Sequence, residues 1–235
     1  MIVIPARLAS SRFPKKVLVD INGVPMVVAT ANRVKDLDTV IIATDSEEVQ
    51  KVVKPYGYTC VMTDISHKSG TDRINEAVNT LNIDENEVIV NVQADEPFIE
   101  PEVVKAVIDR VKSLNRDFKM VSCCKKMDKW FAADPNHVKV ITDINGDAIY
   151  FSRSKIPYDR EEHQDYLGHL GIYGFDKRSL NNFCSFPPAP IEDVEKLEQL
   201  RAIYNGKKIS MVEVESNSFG IDSPEDLKLA METLQ

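Results

Sequence analysis

Across the first 118 residues, four short apolar runs alternate with four helix-patterned segments, and this alternation restricts the fold more than any other feature. The runs are 2–5, 39–44, 59–62 and 88–92. Those at 39–44 and 88–92 are β-branched and almost wholly apolar, as parallel strands covered on both faces must be. The segments between them carry helical signals. Ile74, Ala77, Val78 and Leu81 recur at i, i+3, i+4 and i+7 within 70–81. Ser46-Glu47-Glu48 supplies an N-cap and an acidic first turn. Residues 26–35 are helically periodic, and Pro101 suits the first turn of a helix over 101–114. Strands separated by helices of about 10 residues imply right-handed βαβ units and a parallel sheet.

The pattern changes at residue 119. Strand-like runs at 119–124, 138–143 and 147–152 follow in quick succession, and Asn145-Gly146 marks a hairpin between the last two. A strand over 170–175, a helix over 191–204 ending at Asn205-Gly206, a strand over 208–214 and a helix over 224–234 complete the reading. The expected fold is α/β: a mainly parallel, doubly wound sheet with a small antiparallel inserted subregion. No repeat or flexible linker divides the chain. It is read as one domain, 1–235, with a nucleotide-binding half at 1–118 and a second part at 119–235.

The charge balance, 29 basic against 37 acidic residues for a net −8, argues against a general nucleic-acid binder. Cys60, Cys123, Cys124 and Cys184 fit neither a disulfide scaffold nor a zinc spacing and read as core thiols. Cys123 and Cys124 should face opposite sides of a strand. No apolar run reaches the length of about 18 residues that a membrane span requires. The chain opens on an apolar strand with no signal-peptide pattern, so a cytoplasmic protein is expected.

Two loops concentrate the chemistry. After the first strand, residues 6–16 hold Arg7, Arg12, Lys15 and Lys16 together with Ser10 and Ser11. In open α/β sheets the loops at the carboxyl ends of strands form the ligand crevice, and guanidinium and hydroxyl groups suit phosphate oxygens. The loop matches neither the Walker pattern nor the dinucleotide fingerprint. It is either an anion site or a solvated basic loop. After the 88–92 strand, Gln93-Ala94-Asp95-Glu96 places two carboxylates at the same sheet edge. They suit a Mg²⁺ anchor beside a phosphate, or else they cap the next helix.

In the helix expected over 191–204, Ile191, Val194, Leu197 and Tyr204 form an apolar stripe, and Glu198 and Arg201 fall inside it. That is either a buried ion pair or Glu198 turned to a ligand and held by Arg201. His169 and Tyr173, four apart, share one strand face. Asp222 sits at a helix start, where capping is its alternative role.

Together these segments carry a family resemblance. Residues 4–16, Ser69-Gly70-Thr71-Asp72-Arg73 and Val92-Gln93-Ala94-Asp95-Glu96-Pro97 resemble the sugar-acid cytidylyltransferases. Residues 150–153, 169–174, 197–201 and 220–227 extend the likeness nearly end to end and favour the branch acting on 3-deoxy-manno-octulosonate (Kdo). The resemblance implies a nucleotide-transferase sheet, with the second part serving sugar-acid binding and dimerisation. It implies transfer of CMP from CTP to the anomeric hydroxyl of an eight-carbon sugar acid, with release of pyrophosphate, dependence on Mg²⁺, a homodimer, and a place in lipopolysaccharide synthesis.

Carried over by position, Ala6 and Arg7 would hold the cytosine and ribose side of CTP. Ser10, Arg12 and Lys16 would hold its phosphates, with Arg73 nearby. Asp95 and Asp222 would bind Mg²⁺, and with Arg12 and Lys16 they form the expected catalytic set. Gln93, Arg153, His169, Tyr173, Glu198 and Gln199 would line the sugar-acid pocket. Lys15 stands where the family often has Gly, and Ala94 where it usually has Gly. A cytidylyltransferase for an amino-substituted Kdo or a sialic acid, or a non-catalytic nucleotide-binding regulator, remain as alternatives.

Overall fold

The computed structural model describes residues 1–10, 13–161 and 163–234. In chain order the elements are β1 (Ile2–Ala6), β2 (Asp20–Ile21), β3 (Val24–Pro25), α1 (Met26–Val34), β4 (Val40–Thr44), α2 (Glu47–Val53), β5 (Thr59–Met62), α3 (Gly70–Thr80), β6 (Val88–Asn91), α4 (Pro101–Ser113) and β7 (Met120–Met127). They continue with α5 (Lys129–Ala133), β8 (Lys139–Thr142), β9 (Ala148–Ser152), β10 (Tyr166–Asp176), α6 (Lys177–Ser185), α7 (Pro190–Glu195), α8 (Leu200–Tyr204), β11 (Ser210–Glu213) and α9 (Pro224–Thr233).

The main sheet runs β11-β7-β10-β6-β1-β4-β5. Strand β1 pairs in parallel with β4 and β6, and β4 with β5. The expected βαβ half is therefore present. Period-two alternation separates two cores. Ile2, Ile4 and Ala6 of β1 pack under α1, α2 and α4, whereas Val3 packs on the other side with Ile74, Ala77 and Val78 of α3. Cys123 and Cys124 divide between the same two cores, and burial pushes their thiols up to about 12 and about 11.

The antiparallel part enters the sheet itself. Strand β10 lies between β6 and β7 and runs opposite to both, so residues 119–235 share one sheet with residues 1–118. The hairpin at Asn145-Gly146 forms between β8 and β9, with Gly146 at φ 75°. A second hairpin, β2–β3, turns on Asn22-Gly23 with φ 52° and 90°, values that a two-residue turn of this kind requires.

The helix expected over 191–204 is broken. Lys196 adopts a left-handed φ of 54° and ends α7, and α8 restarts only at Leu200. The expected apolar stripe is lost with it: Val194 is 83% exposed and Tyr204 59% exposed. Among the described residues no helix is long and apolar enough to cross a membrane.

Strand β10 approaches α4 closely. A Cβ on Gly174 would stand 2.5 Å from Val107 Cγ1 and 2.7 Å from Val111 Cγ2. Valine has little rotameric freedom to yield. Gly174→Ala should therefore lower stability by about 1–3 kcal/mol, read as a reduced urea midpoint. An unchanged midpoint would show that this contact is slack.

Candidate functional site

The loops after β1, β5 and β6 meet where the order of strands reverses around β1, the position at which open α/β sheets bind ligands. A cavity of about 280 Å³ opens there, lined by Arg7, Ser10, Lys16, Lys68, Arg73, Gln93, Asp95 and Asp222, among others. Four cations face two carboxylates in a chain of net charge −8. The cavity therefore favours a polyanion. The start of α3 also lines it, through Ser69 and Gly70. Ser69 Oγ caps this helix by accepting from the Asp72 N–H at 3.1 Å. Gly70 lets the helix start approach the strand, since a Cβ would lie 3.1 Å from Pro5 Cγ.

Arg73 is 3% exposed and fixed at both ends, donating to Thr63 Oγ1 at 2.5 Å and to Asp45 Oδ2 at 2.7 Å. Lys16 Nζ lies between two carboxylates, 2.5 Å from Asp95 Oδ2 and 2.8 Å from Asp222 Oδ1. Burial alone would lower this ammonium, but the charge and hydrogen bonds of the two aspartates outweigh it and raise its pKa.

The capping alternatives fall away. Helix α4 starts at Pro101 without a side-chain cap, so neither Asp95 nor Glu96 serves it. Burial, reinforced by Asp95, pushes the Glu96 carboxyl up to about 8. The cap of α9 is Ser223, while Asp226 accepts the N–H groups of Asp222 and Ser223. The Asp222 carboxylate is thus left facing Lys16. Lys15 stands at φ 55°, the left-handed conformation for which glycine is the usual residue.

Beside the cavity lies a neutral polar wall. Tyr173 donates from its hydroxyl to Gln199 Oε1 at 3.0 Å, and Gln199 Nε2 lies 3.4 Å from His169 Nδ1. The rings of His169 and Tyr173 are 5.6 Å apart. They share a face, as expected, but by a different route. Their partners on β7 are Cys124 and Ser122, two residues apart, so β10 carries two extra residues in a bulge between Leu170 and Tyr173. An even insertion preserves the face.

Glu198 accepts from Thr71 Oγ1 at 2.7 Å, and its buried Oε2 has no hydrogen-bond partner among the described residues. Burial raises its pKa, partly offset by the hydroxyls of Thr71 and Ser69. Arg201 does not hold it. The Arg201 guanidinium takes Glu192 at 2.5 and 2.9 Å. The broken helix explains this exchange, because the 196–199 turn rather than a helical face delivers Glu198 and Gln199.

Three sequence-predicted residues stand differently. The Ala6 methyl is packed in the core and does not line the cavity. Arg153 donates to the backbone oxygens of Glu195, Pro135 and Lys196, and none of these contacts joins it to the wall. Arg12 lies outside the described residues. Thr71, Asp45 and Ser122 touch the site residues Glu198, Arg73 and His169, Asn91 Oδ1 accepts from Gln93 Nε2 at 3.3 Å, and none of the four is among the residues expected from sequence. Thr71 sits inside a motif already singled out, whereas the other three carry no local signal.

Burial lowers the His169 pKa from 6.5 to about 3. Between these values the unfolded chain binds a proton that the native state does not. This contribution to stability is therefore lost as pH falls from 6.5 towards 3. Urea midpoints should drop on acidification, and His169→Asn should flatten the dependence. An unchanged slope in the variant would contradict a neutral buried imidazole.

Comparison with known proteins agrees with this geometry. The cytidylyltransferase family model matches residues 1–209. The chain is 54% identical over 230 residues to the 3-deoxy-manno-octulosonate cytidylyltransferase of a Nitratiruptor species, covering 97% of each. It is 46% identical over 238 residues to that of Wolinella succinogenes, covering 98% of each. A solved CMP:2-keto-3-deoxy-manno-octonic acid synthetase complexed with CTP superposes with a TM-score of 0.91 at 37% identity, covering 98% of this chain and 96% of that one. A cytidylyltransferase from Leptospira borgpetersenii, at TM-score 0.63 and 18% identity over 96% and 82% of the two chains, shares the fold. By the span of the family match and the near-complete coverage of these relatives, the chain belongs to the cytidylyltransferase family, in its 3-deoxy-manno-octulosonate branch.

Proposed function

We propose that the chain transfers CMP from CTP to the anomeric hydroxyl of Kdo, forming CMP-Kdo and pyrophosphate. The observation that carries this reading is the meeting of two unlike surfaces at Gln93. This residue lines the cationic cavity and also approaches Gly171 O of the bulge at 3.5 Å. A triphosphate suits the first surface and a polyhydroxyl acid suits the second.

Asp95 and Asp222 fit a Mg²⁺ site. Their oxygens come from distant parts of the chain and converge on one cation, Lys16 Nζ. Mg²⁺ is commonly held by one or two carboxylates completed by water and phosphate oxygens. Among the described residues no cluster of three or more metal-ligating side chains exists, so substrate oxygens would complete the shell. When bound, Mg²⁺ supplies charge neutralisation and Lewis-acid polarisation at the α-phosphate.

The chain's own residues do the rest. Ser10, Lys16 and Arg73 orient the triphosphate, and Arg7 holds the cytidine side of CTP. Lys16 holds the two aspartates close together. Gln93, Tyr173, Glu198 and Gln199 position the sugar hydroxyls, and His169, kept neutral, supports Gln199. Rate enhancement then comes from orientation and preorganised charge, without a covalent intermediate.

A pyrophosphate-release assay over Kdo, amino-substituted Kdo and a sialic acid tests the assignment. Preferred turnover of Kdo supports it, and preference for another acid reassigns the acceptor. A homodimer belongs to the same reading. Trp130, Phe131, Ile149 and Tyr158 are all more than half exposed in the 129–158 segment, and sedimentation should give twice the chain mass.

A further inference from the structure

The bulge in β10 leaves Gly171 and Ile172 without a ladder partner on β7, and side chains reach the carbonyl groups of this stretch. Ser122 Oγ lies 2.8 Å from Ile172 O and 3.2 Å from Leu170 O. Gln93 Nε2 reaches the carbonyl between them, Gly171 O, at 3.5 Å. Ser122 is fully buried in β7, and its Oγ also stands 2.8 Å from His169 Nε2.

A hydroxyl has one proton to donate. Carbonyl oxygens only accept, so that proton must go to the bulge. If Ser122 instead donated to His169, its oxygen would face two carbonyl oxygens with no hydrogen between them, at a large desolvation cost. Ser122 Oγ therefore accepts from His169, and the proton of the neutral imidazole resides on Nε2. His169 Nδ1 is then an acceptor. It requires the amide nitrogen of Gln199, which turns Gln199 Oε1 towards the Tyr173 hydroxyl, as observed at 3.0 Å. The order of donation is Tyr173 to Gln199, Gln199 to His169, His169 to Ser122, and Ser122 to the bulge.

We infer that Ser122 is a positioning residue for the sugar-acid end of the site, setting the histidine tautomer and through it the direction of the Gln199 amide. The consequence is chemical selectivity. With this polarity fixed, Tyr173 retains oxygen lone pairs to accept from a hydroxyl, and Gln199 retains one N–H to donate. A wall of the opposite polarity would offer the reverse set. Burial of His169 supports the same picture, since an imidazolium would need to donate from Nδ1, where Gln199 already donates.

The inference rests on the proposed sugar-acid role of the wall, but its first test does not. In the full-length ¹⁵N-labelled chain without substrates, imidazole ¹⁵N–¹H correlations report which His169 nitrogen carries the proton. The Nε2–H tautomer alone is expected. The Nδ1–H tautomer, or a mixture, overturns the inference whether or not any transfer activity exists. Ser122→Ala should then yield a mixture of tautomers and raise the KM for Kdo about tenfold, the effect of one misdirected buried hydrogen bond, with the KM for CTP unchanged. Ser122→Thr, which keeps Oγ, should restore the single tautomer. A Ser122→Ala chain that loses only stability, with tautomer and Kdo KM as in the wild type, overturns the positioning role. If that variant does not fold, the wild-type tautomer alone decides.

Discussion

Asp95→Asn is expected to cut turnover of cytidylyl transfer by about 10²–10³-fold, the scale on which a single preorganised electrostatic group acts, while the chain remains folded. The substitution conserves shape and removes charge. Asp95 and Asp222 both accept from Lys16 Nζ, at 2.5 and 2.8 Å, and the two aspartates are 127 residues apart in a chain of 235. Neither carboxylate is the cap of the helix that follows it. With an amide at position 95, Asp222 still partners Lys16, so the packing cost is small. Under the proposed Mg²⁺ role, the loss falls on the cation site and on the field at the α-phosphate. Steady-state kinetics at saturating CTP and Kdo, beside a thermal unfolding curve, separate the two effects. Near-wild-type turnover would remove Asp95 from the metal role.

Arg73→Met should destabilise the fold by about 3–5 kcal/mol, the cost of breaking a buried ion pair from one side. Its guanidinium joins three elements: α3, from which it projects, Asp45 just after β4, and Thr63 just after β5. Asp45 is itself only 11% exposed at its side chain, so it would be left charged and nearly dry. The same arginine lines the cationic cavity. CTP binding measured by calorimetry should therefore fall with the denaturation midpoint. Full stability in the variant would show that the pair is solvated, and unchanged CTP affinity would remove Arg73 from the phosphate site.

Local periodicity and caps carried the βαβ half well. Strands β1, β4, β5 and β6 and helices α1 to α4 lie within a few residues of their expected bounds, because each is announced by its own apolar pattern. The insertion of β10 between β6 and β7 was not legible. Strand order is a long-range property, and nothing within 166–176 names its neighbours. The break at Lys196 was hidden because lysine carries no turn signal, and its left-handed φ depends on the surrounding fold. The bulge in β10 was concealed for another reason, since an even insertion leaves His169 and Tyr173 on the same face as an unbroken strand would.

The site divides in the same way. Lys16, Asp95 and Asp222 could be named from loop position and family motif, but not their mutual contact, which links residues 206 apart. Ser122 escaped notice because its role depends on carbonyls that only the bulge exposes.

If one crevice joins CTP to a sugar acid, transfer needs both substrates at once. Phosphorus-31 NMR of the reaction tests it most directly, with CTP, Kdo and Mg²⁺ present together and each omitted in turn. The account predicts that the triphosphate signals give way to a CMP phosphodiester and pyrophosphate in equal amounts, only when all three are present. Release of inorganic phosphate, or consumption of CTP at the same rate without Kdo, would contradict it.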